Sequence, residues 1–293
     1  MTVRGKAPAK LNLTLSVSPG EGGYHEIDSL VCSIDIADSV VVSSRRDDKV
    51  NIIMHGLGSE SIEYEDNNAV KAALLFQKTF GTRGVDITVY KNIPMGAGLG
   101  GSSADAASVL KCMQKLYKSG TDEEVKGLAD TLGSDTGYMT YGGFARITGR
   151  GEKVERLDIP KKRALDIVLL LPKTGVNTRD AYRLSDLYND SKNPNRTPEA
   201  IQALADGDTA ALGGSMYNDL LRAAEYLNPE VAKARKELES FAPLGVNMTG
   251  SGSAVFAVFE NDMFCEWAKS RYRGRYSCVR TRTIPGKPAE QEE

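Results

Sequence analysis

The chain has 293 residues, 41% of them apolar, and a formal net charge of −2. That length can bury a substantial core in two domains of one compact molecule. The near-neutral charge excludes the broad attraction that a nucleic-acid or anionic-membrane binder needs. Cys32, Cys112, Cys265 and Cys278 are far apart with no Cys-x-x-Cys pair, so buried, reduced thiols are expected.

Lys10 to Val17 alternates apolar and polar residues as a half-buried strand does, Pro19 to Gly23 reads as a turn or loop, and Ile34 to Val42 as a second strand. Ile52 to Met54 and Val85 to Tyr90 are further strands; Asn68 to Phe80 and Ala104 to Tyr117 are helices by their alanine, leucine and lysine content. After Ile147 the chain turns polar from Arg150 to Arg163, where Lys161-Lys162-Arg163 reads as a solvated cluster. Leu165 to Leu171 is then an apolar strand ending at Pro172. Tyr188 to Pro198 is a surface loop, helical segments follow at about Pro198 to Ala205 and Pro229 to Phe241, and Val255 to Phe259 is a buried strand. The expected organisation is α+β, with domains at 1–160 and 161–287 and a frayed acidic tail at 288–293. No repeat of fixed period occurs. No apolar run reaches membrane-spanning length and the N-terminus lacks a signal peptide's apolar stretch, so a cytoplasmic protein with no membrane or nucleic-acid partner is expected, as monomer or homodimer. His25 and His55 are isolated, which disfavours a zinc site.

The most informative segment is Pro94-Met95-Gly96-Ala97-Gly98-Leu99-Gly100-Gly101-Ser102-Ser103-Ala104, a glycine-rich turn running from a strand into a small-residue helix. Bare backbone N–H groups and a helix N-terminus make such a turn a phosphate cradle, and a nucleotide such as ATP is the expected ligand, with the serine hydroxyls facing phosphate and Mg²⁺. Gly96, Gly98 and Gly101 also satisfy the dinucleotide spacing. That fold wants an acidic residue at the end of a second strand, whereas Asp122 and Glu123 lie at what reads as a helix start. A glycine turn with no ligand is the remaining alternative.

Two further segments carry a specific likeness. Ala9-Lys10-Leu11-Asn12 with Gly23-Tyr24-His25-Glu26, the glycine turn, and Thr249-Gly250-Ser251-Gly252-Ser253 occur in the order found in the GHMP small-molecule kinases. Over nearly its whole length the chain resembles that superfamily, and within it the 4-diphosphocytidyl-2-C-methyl-D-erythritol kinase family of the non-mevalonate isoprenoid pathway. The resemblance implies a two-domain GHMP kinase fold, its N-terminal domain like domain 2 of ribosomal protein S5 and its C-terminal domain ferredoxin-like, with both substrates held between them. It implies ATP as phosphoryl donor, Mg²⁺ near Ser103, and a small-molecule acceptor phosphorylated on its 2-hydroxyl. Asp135 matches the family's catalytic aspartate and Lys10 its partner; a turn or helix cap is the alternative role for Asp135, and a solvated surface charge for Lys10. Residues 94–104 would bind ATP, with Asn67 near the nucleoside or acting as a helix cap. Asn12, Tyr24, His25 and Tyr182 would hold the acceptor, the tyrosines stacking on cytosine. Gly250, Ser251 and Gly252 would close over the phosphate and acceptor. Two departures stand out: Thr136-Gly137-Tyr138 replaces a common Val-Pro-Phe, and Ser102 replaces a glycine. The first leaves another small alcohol or sugar as the alternative acceptor; a silent ligand sensor on the same fold is a third reading, opposed by the retention of Lys10 and Asp135.

Overall fold

The computed structural model describes residues 1–20, 24–58, 63–188 and 194–286. The expected acidic tail and parts of the two expected loops, at 21–23 and 189–193, lie outside the described residues. In chain order the elements are β1 (Thr2–Asn12), β2 (Thr14–Pro19), β3 (His25–Ser44), β4 (Val50–Gly56), α1 (Asn68–Phe80), β5 (Val85–Lys91), α2 (Gly101–Tyr117), α3 (Asp122–Leu132) and α4 (Ser134–Met139). They continue as β6 (Phe144–Gly149), β7 (Lys153–Leu157), β8 (Asp166–Leu171), α5 (Thr178–Tyr188), α6 (Thr197–Asp206), α7 (Thr209–Ser215), β9 (Tyr217–Asn218), α8 (Leu221–Leu227), α9 (Pro229–Glu239), β10 (Gly245–Met248), β11 (Val255–Phe259), α10 (Asp262–Arg271) and β12 (Ser277–Ile284). Two compact units result, one from residues 1–9, 36–95 and 100–142, the other from 10–35, 96–99 and 143 onward.

In the first unit β5 pairs antiparallel with β3, from Ser39↔Tyr90 to Ser44↔Val85, and parallel with β4, from Val50↔Val85 to Gly56↔Lys91. β5 alternates strictly, burying Val85, Ile87 and Val89, and the same period carries Lys91 inward at its end. α1 packs on α2 and buries Ala69, Val70, Ala72, Ala73 and Phe76, while α2 buries mainly small residues. α3 opens with a reciprocal cap in which Thr121 Oγ1 accepts from Glu124 N and Glu124 Oε2 from Thr121 N. Asp122 and Glu123 are therefore a helix start, as their sequence reads, and the dinucleotide alternative loses its acidic residue.

The second unit contains an antiparallel sheet ordered β10-β11-β8-β12, with α9 and α10 packed on it. Its β-α-β-β-α-β succession is the expected ferredoxin-like arrangement. β11 is buried along its whole length, and its core with Val168, Leu170, Val231, Leu238 and Ala268 explains why β8 and β11 read as uninterrupted apolar runs.

β3 is far longer than its expected span, Ile34 to Val42. Ser29 and Ser33 interrupt the apolar pattern, yet both are buried because each has a partner: Ser29 Oγ donates to Thr14 O at 2.5 Å and Ser33 Oγ accepts from Gly143 N at 3.0 Å. The expected strand from Lys10 to Val17 breaks at Leu13, whose N–H donates instead to Leu30 O at 2.8 Å. Arg150 to Arg163, read only as a polar stretch, contains the short strand β7. Cys32, Cys112 and Cys265 are buried and Cys278 half-buried, all as free thiols.

Candidate active site

Lys10 and Asn12 both have buried side chains at the end of β1, with Lys10 only 5% exposed. Lys10 Nζ donates to Asn12 Oδ1 at 2.5 Å, and the same oxygen accepts from Gly250 N at 3.1 Å and Thr249 Oγ1 at 3.4 Å. Asn12 Nδ2 donates to Ser29 Oγ at 2.8 Å, fixing the amide's orientation. A solvated surface charge is thus ruled out for Lys10: its ammonium is held at a defined place, against the second glycine turn.

The two glycine turns meet within the second unit. At Gly98 (φ 76°) an added Cβ would lie 2.2 Å from Thr249 O, and at Gly250 (φ 57°) it would lie 3.3 Å from Lys10 Nζ. Both positions need the left-handed region and a bare Cα. Thr249 Oγ1 donates to Gly98 O at 3.3 Å, Ala254 N to Ala97 O at 3.1 Å, and Lys10 N to Leu99 O at 3.0 Å. Asn218, which sequence reasoning missed, donates through Nδ2 to both Met248 O and Gly250 O at 2.8 Å. Ser251 Oγ meets Thr178 Oγ1 at 2.8 Å, and Gly252 also has a positive φ of 92°. Along the first turn, positive φ at Gly96, Gly98 and Gly100 alternates with Ala97 and Leu99, the pattern of anion-binding backbone nests.

The second unit also assembles an aromatic patch. The rings of His25 and Tyr182 lie 5.0 Å apart, and His25 Nε2 pairs with Asp186 Oδ1 at 2.7 Å. Tyr182 and Asp186 are one turn apart on α5, so one helix face supplies both contacts. Asp186 carries no motif and could be found only by placing that helix. Tyr24 is 58% exposed, with the Arg150 guanidinium 3.8 Å from its ring centre.

In the first unit, Pro94 is half-buried and Met95 exposed. Gly100 caps α2, whose first turn contains Gly101, exposed Ser102, half-buried Ser103 and buried Ala104. Asn68 Nδ2 approaches Ser102 Oγ at 3.5 Å. Asn67 fills the helix-cap role: its Oδ1 accepts from Ala69 N at 2.9 Å and its Nδ2 faces Met54 Sδ. Asp135 is half-buried in the first turn of α4, directly after Gly133. Gly137 lets α4 close on α3, since an added Cβ would lie 1.9 Å from Asp130 Oδ1; Thr136-Gly137-Tyr138 is thus an internally fitted variant, with Tyr138 fully buried. Among the described residues no group of three or more His, Cys, Asp or Glu could hold a metal, and no helix is long and apolar enough to cross a membrane.

Residues 67–144 match the GHMP kinases N-terminal domain and residues 200–263 the GHMP kinases C-terminal domain. The 4-diphosphocytidyl-2-C-methyl-D-erythritol kinase of Shouchella clausii is 37% identical over 88% of this chain and 86% of its own. That of Bacillus cereus is 35% identical over 88% of each. A crystal structure of 4-(cytidine 5'-diphospho)-2C-methyl-D-erythritol kinase superposes with a TM-score of 0.78 at 31% identity, covering 98% of this chain and all of that one (100%). Homoserine kinase from Cytophaga hutchinsonii, with a TM-score of 0.74 at 18% identity, shares the fold. The motifs, the two-domain α+β fold and these likenesses agree: the chain belongs to the GHMP kinases and, within them, to the 4-diphosphocytidyl-2-C-methyl-D-erythritol kinase family.

Proposed function

We infer that this chain is a small-molecule kinase that transfers a phosphoryl group from ATP to the 2-hydroxyl of 4-diphosphocytidyl-2-C-methyl-D-erythritol, in isoprenoid precursor synthesis. The observation that carries the reading is the buried Lys10 ammonium, fixed by Asn12 beside Gly250, in a chain of this family. Phosphoryl transfer needs little covalent chemistry from the protein; it needs anchored phosphates, a positive group near the transferring phosphoryl, and an oriented acceptor. Residues 94–104 supply the backbone donors and helix N-terminus for the phosphates. Lys10, held by Asn12, offsets charge on the transferring group, while Asp135 accepts the proton of the acceptor hydroxyl or orients it.

Mg²⁺ fits this donor set only as an ion carried largely by nucleotide phosphates and water. Ser103 would be its protein ligand. When bound, the ion would neutralise charge on the phosphates. On the acceptor side, Tyr24, Tyr182 and His25 recognise cytosine, with Asp186 holding His25. Ser251 and Gly252 continue the turn that Gly250 begins.

The test is ADP release with ATP, Mg²⁺ and a panel of acceptors: 4-diphosphocytidyl-2-C-methyl-D-erythritol, free methylerythritol, homoserine, mevalonate and galactose. Turnover confined to the first is expected. Comparable turnover of free methylerythritol or of another alcohol would overturn cytidine recognition and favour the other-acceptor reading; nucleotide binding with no turnover of any acceptor would favour a sensor.

A further inference from the structure

Three buried charges in the first unit have no role in the chemistry above. Lys91 Nζ donates to an Asp38 carboxylate oxygen and, at 2.6 Å, to Asp105 Oδ2; the side chains of all three are at most 5% exposed. Asp38 Oδ1 also accepts the backbone N–H groups of Asn92 at 2.5 Å and Ile93 at 2.7 Å. Asp105 Oδ1 is buried without a donor among the described residues. Two carboxylates around one ammonium, out of water, are costly compared with apolar residues of the same shape, so stability alone does not account for them.

Their placement does. Lys91, Asn92 and Ile93 are the residues through which the chain leaves β5 and enters the glycine turn, and Asp105 lies just after the turn, near the start of α2. At Gly101, the first residue of α2, an added Cβ would stand 3.1 Å from Ile93 Cγ2 and 3.4 Å from Lys91 Nζ. Strand end and helix start are thus in direct contact around the ammonium, and both ends of the turn are tied to one buried charge. A glycine-rich turn has large conformational freedom, and a phosphate cradle works only when its N–H groups converge before the ligand arrives.

We propose that Asp38, Lys91 and Asp105 are positioning residues that clamp the two ends of the glycine turn and so preorganise it for the phosphates of ATP. This rests on the kinase reading of the turn, and the test separates the two. ATP binding is measured by calorimetry in the presence of Mg²⁺ and without acceptor, on the full chain and on Lys91→Met, Asp105→Ala and Asp105→Asn, each with its melting temperature. Asp105→Ala removes a carboxylate that folding already penalises, so it should fold while releasing Lys91 from the helix end. Its dissociation constant for ATP should rise about tenfold or more, and Lys91→Met should do at least the same. Asp105→Asn keeps an oxygen for Lys91 and should restore affinity to within about threefold of the parent.

A merely structural triad would lower melting temperatures without changing the ATP affinity of the folded chains. Parent-like affinity in folded Asp105→Ala therefore overturns the proposal, as does a chain that Asp105→Ala leaves unfolded. If Lys91→Met fails to fold, the Asp105 pair decides. If the parent itself does not bind ATP, the kinase reading falls with the proposal; if the parent binds and phosphorylates while Asp105→Ala binds equally well, only the clamp falls.

Discussion

A lysine in a strand is ordinarily a solvated charge, and Lys10 departs from that rule because Asn12, itself held by Thr249 and Gly250, gives its ammonium a fixed oxygen neighbour. Lys10→Met keeps the length of the side chain and removes the charge, so turnover should fall by about two orders of magnitude or more. The melting temperature should change little, because the lost hydrogen bond is offset by relief from burying a charge. Kinetics and a thermal scan on the same preparation check both halves; loss of folding would make Lys10 structural. The glycines divide differently from their sequence reading. Gly98 reads as a bare N–H donor, but it is also obliged by the approach of Thr249 O. Gly98→Ala should therefore destabilise the protein by roughly 2 kcal/mol or more, through an unfavourable φ together with a backbone clash, visible as a lowered denaturation midpoint even without ATP. An unchanged midpoint would show that the turn relaxes and that Gly98 matters for ligand alone. Lys10, Asn12 and the two glycine turns were legible because they are contiguous words. Asn218 and Thr249 were not recognisable as partners, because their roles arise from contacts across more than two hundred residues of chain for Thr249 and about thirty for Asn218.

At the scale of elements, strong periodicity was readable and buried polarity was not. β5, β8, β11, α1 and α2 fall close to their expected spans: β5 alternates, β8 and β11 are uninterrupted apolar runs, and the two helices are rich in alanine and other helix formers. β3 was read at under half its length, because Ser29 and Ser33 are polar by type yet internal by hydrogen bonding. α5 was missed as a helix: most of its face is polar, with only Ala181 and Ser185 fully buried. That helix carries both Tyr182 and Asp186, so missing it concealed the second of them. If α5 holds His25 through Asp186, Asp186→Ala frees the imidazole and should raise the acceptor KM by roughly 10- to 150-fold, the value of a charge-assisted hydrogen bond, while the KM for ATP stays near that of the parent. Equal effects on both substrates would instead indicate disruption of the helix. Tyr24→Ala should act on the same constant, losing about 1–3 kcal/mol of stacking, with the Arg150 contact removed as well.

For the molecule as a whole, ionisation of the buried triad should leave a mark on stability that runs opposite to the usual carboxylate behaviour. Asp47 shows the usual case: hydrogen bonding to Arg45, against a smaller effect of desolvation, holds its carboxyl down to about 2, so the stability it contributes is lost as pH falls. Asp105 is the reverse. Burial raises it, Lys91 opposes, Asp38 adds to the rise, and the carboxyl is pushed up from 3.8 to about 7. Between those values the folded chain binds a proton that the unfolded chain has released, so the slope of unfolding free energy with pH is negative and stability declines as pH rises from about 4 to about 7. Above that window the carboxylate is ionised in both states and the decline stops. Lys91 does not cancel this effect, because its own pKa is raised: burial lowers it, the two carboxylates outweigh that, and the ammonium stays charged throughout. Asp105→Asn removes the titrating proton while leaving an oxygen for Lys91. Denaturation of parent and variant at pH 5, 6, 7 and 8 should therefore show a stability difference that shifts steadily in favour of the variant as pH rises and levels off near neutrality. A difference independent of pH would mean that Asp105 is ionised throughout, so that Lys91 outweighs burial, while a difference favouring the parent increasingly with pH would reverse the assigned direction.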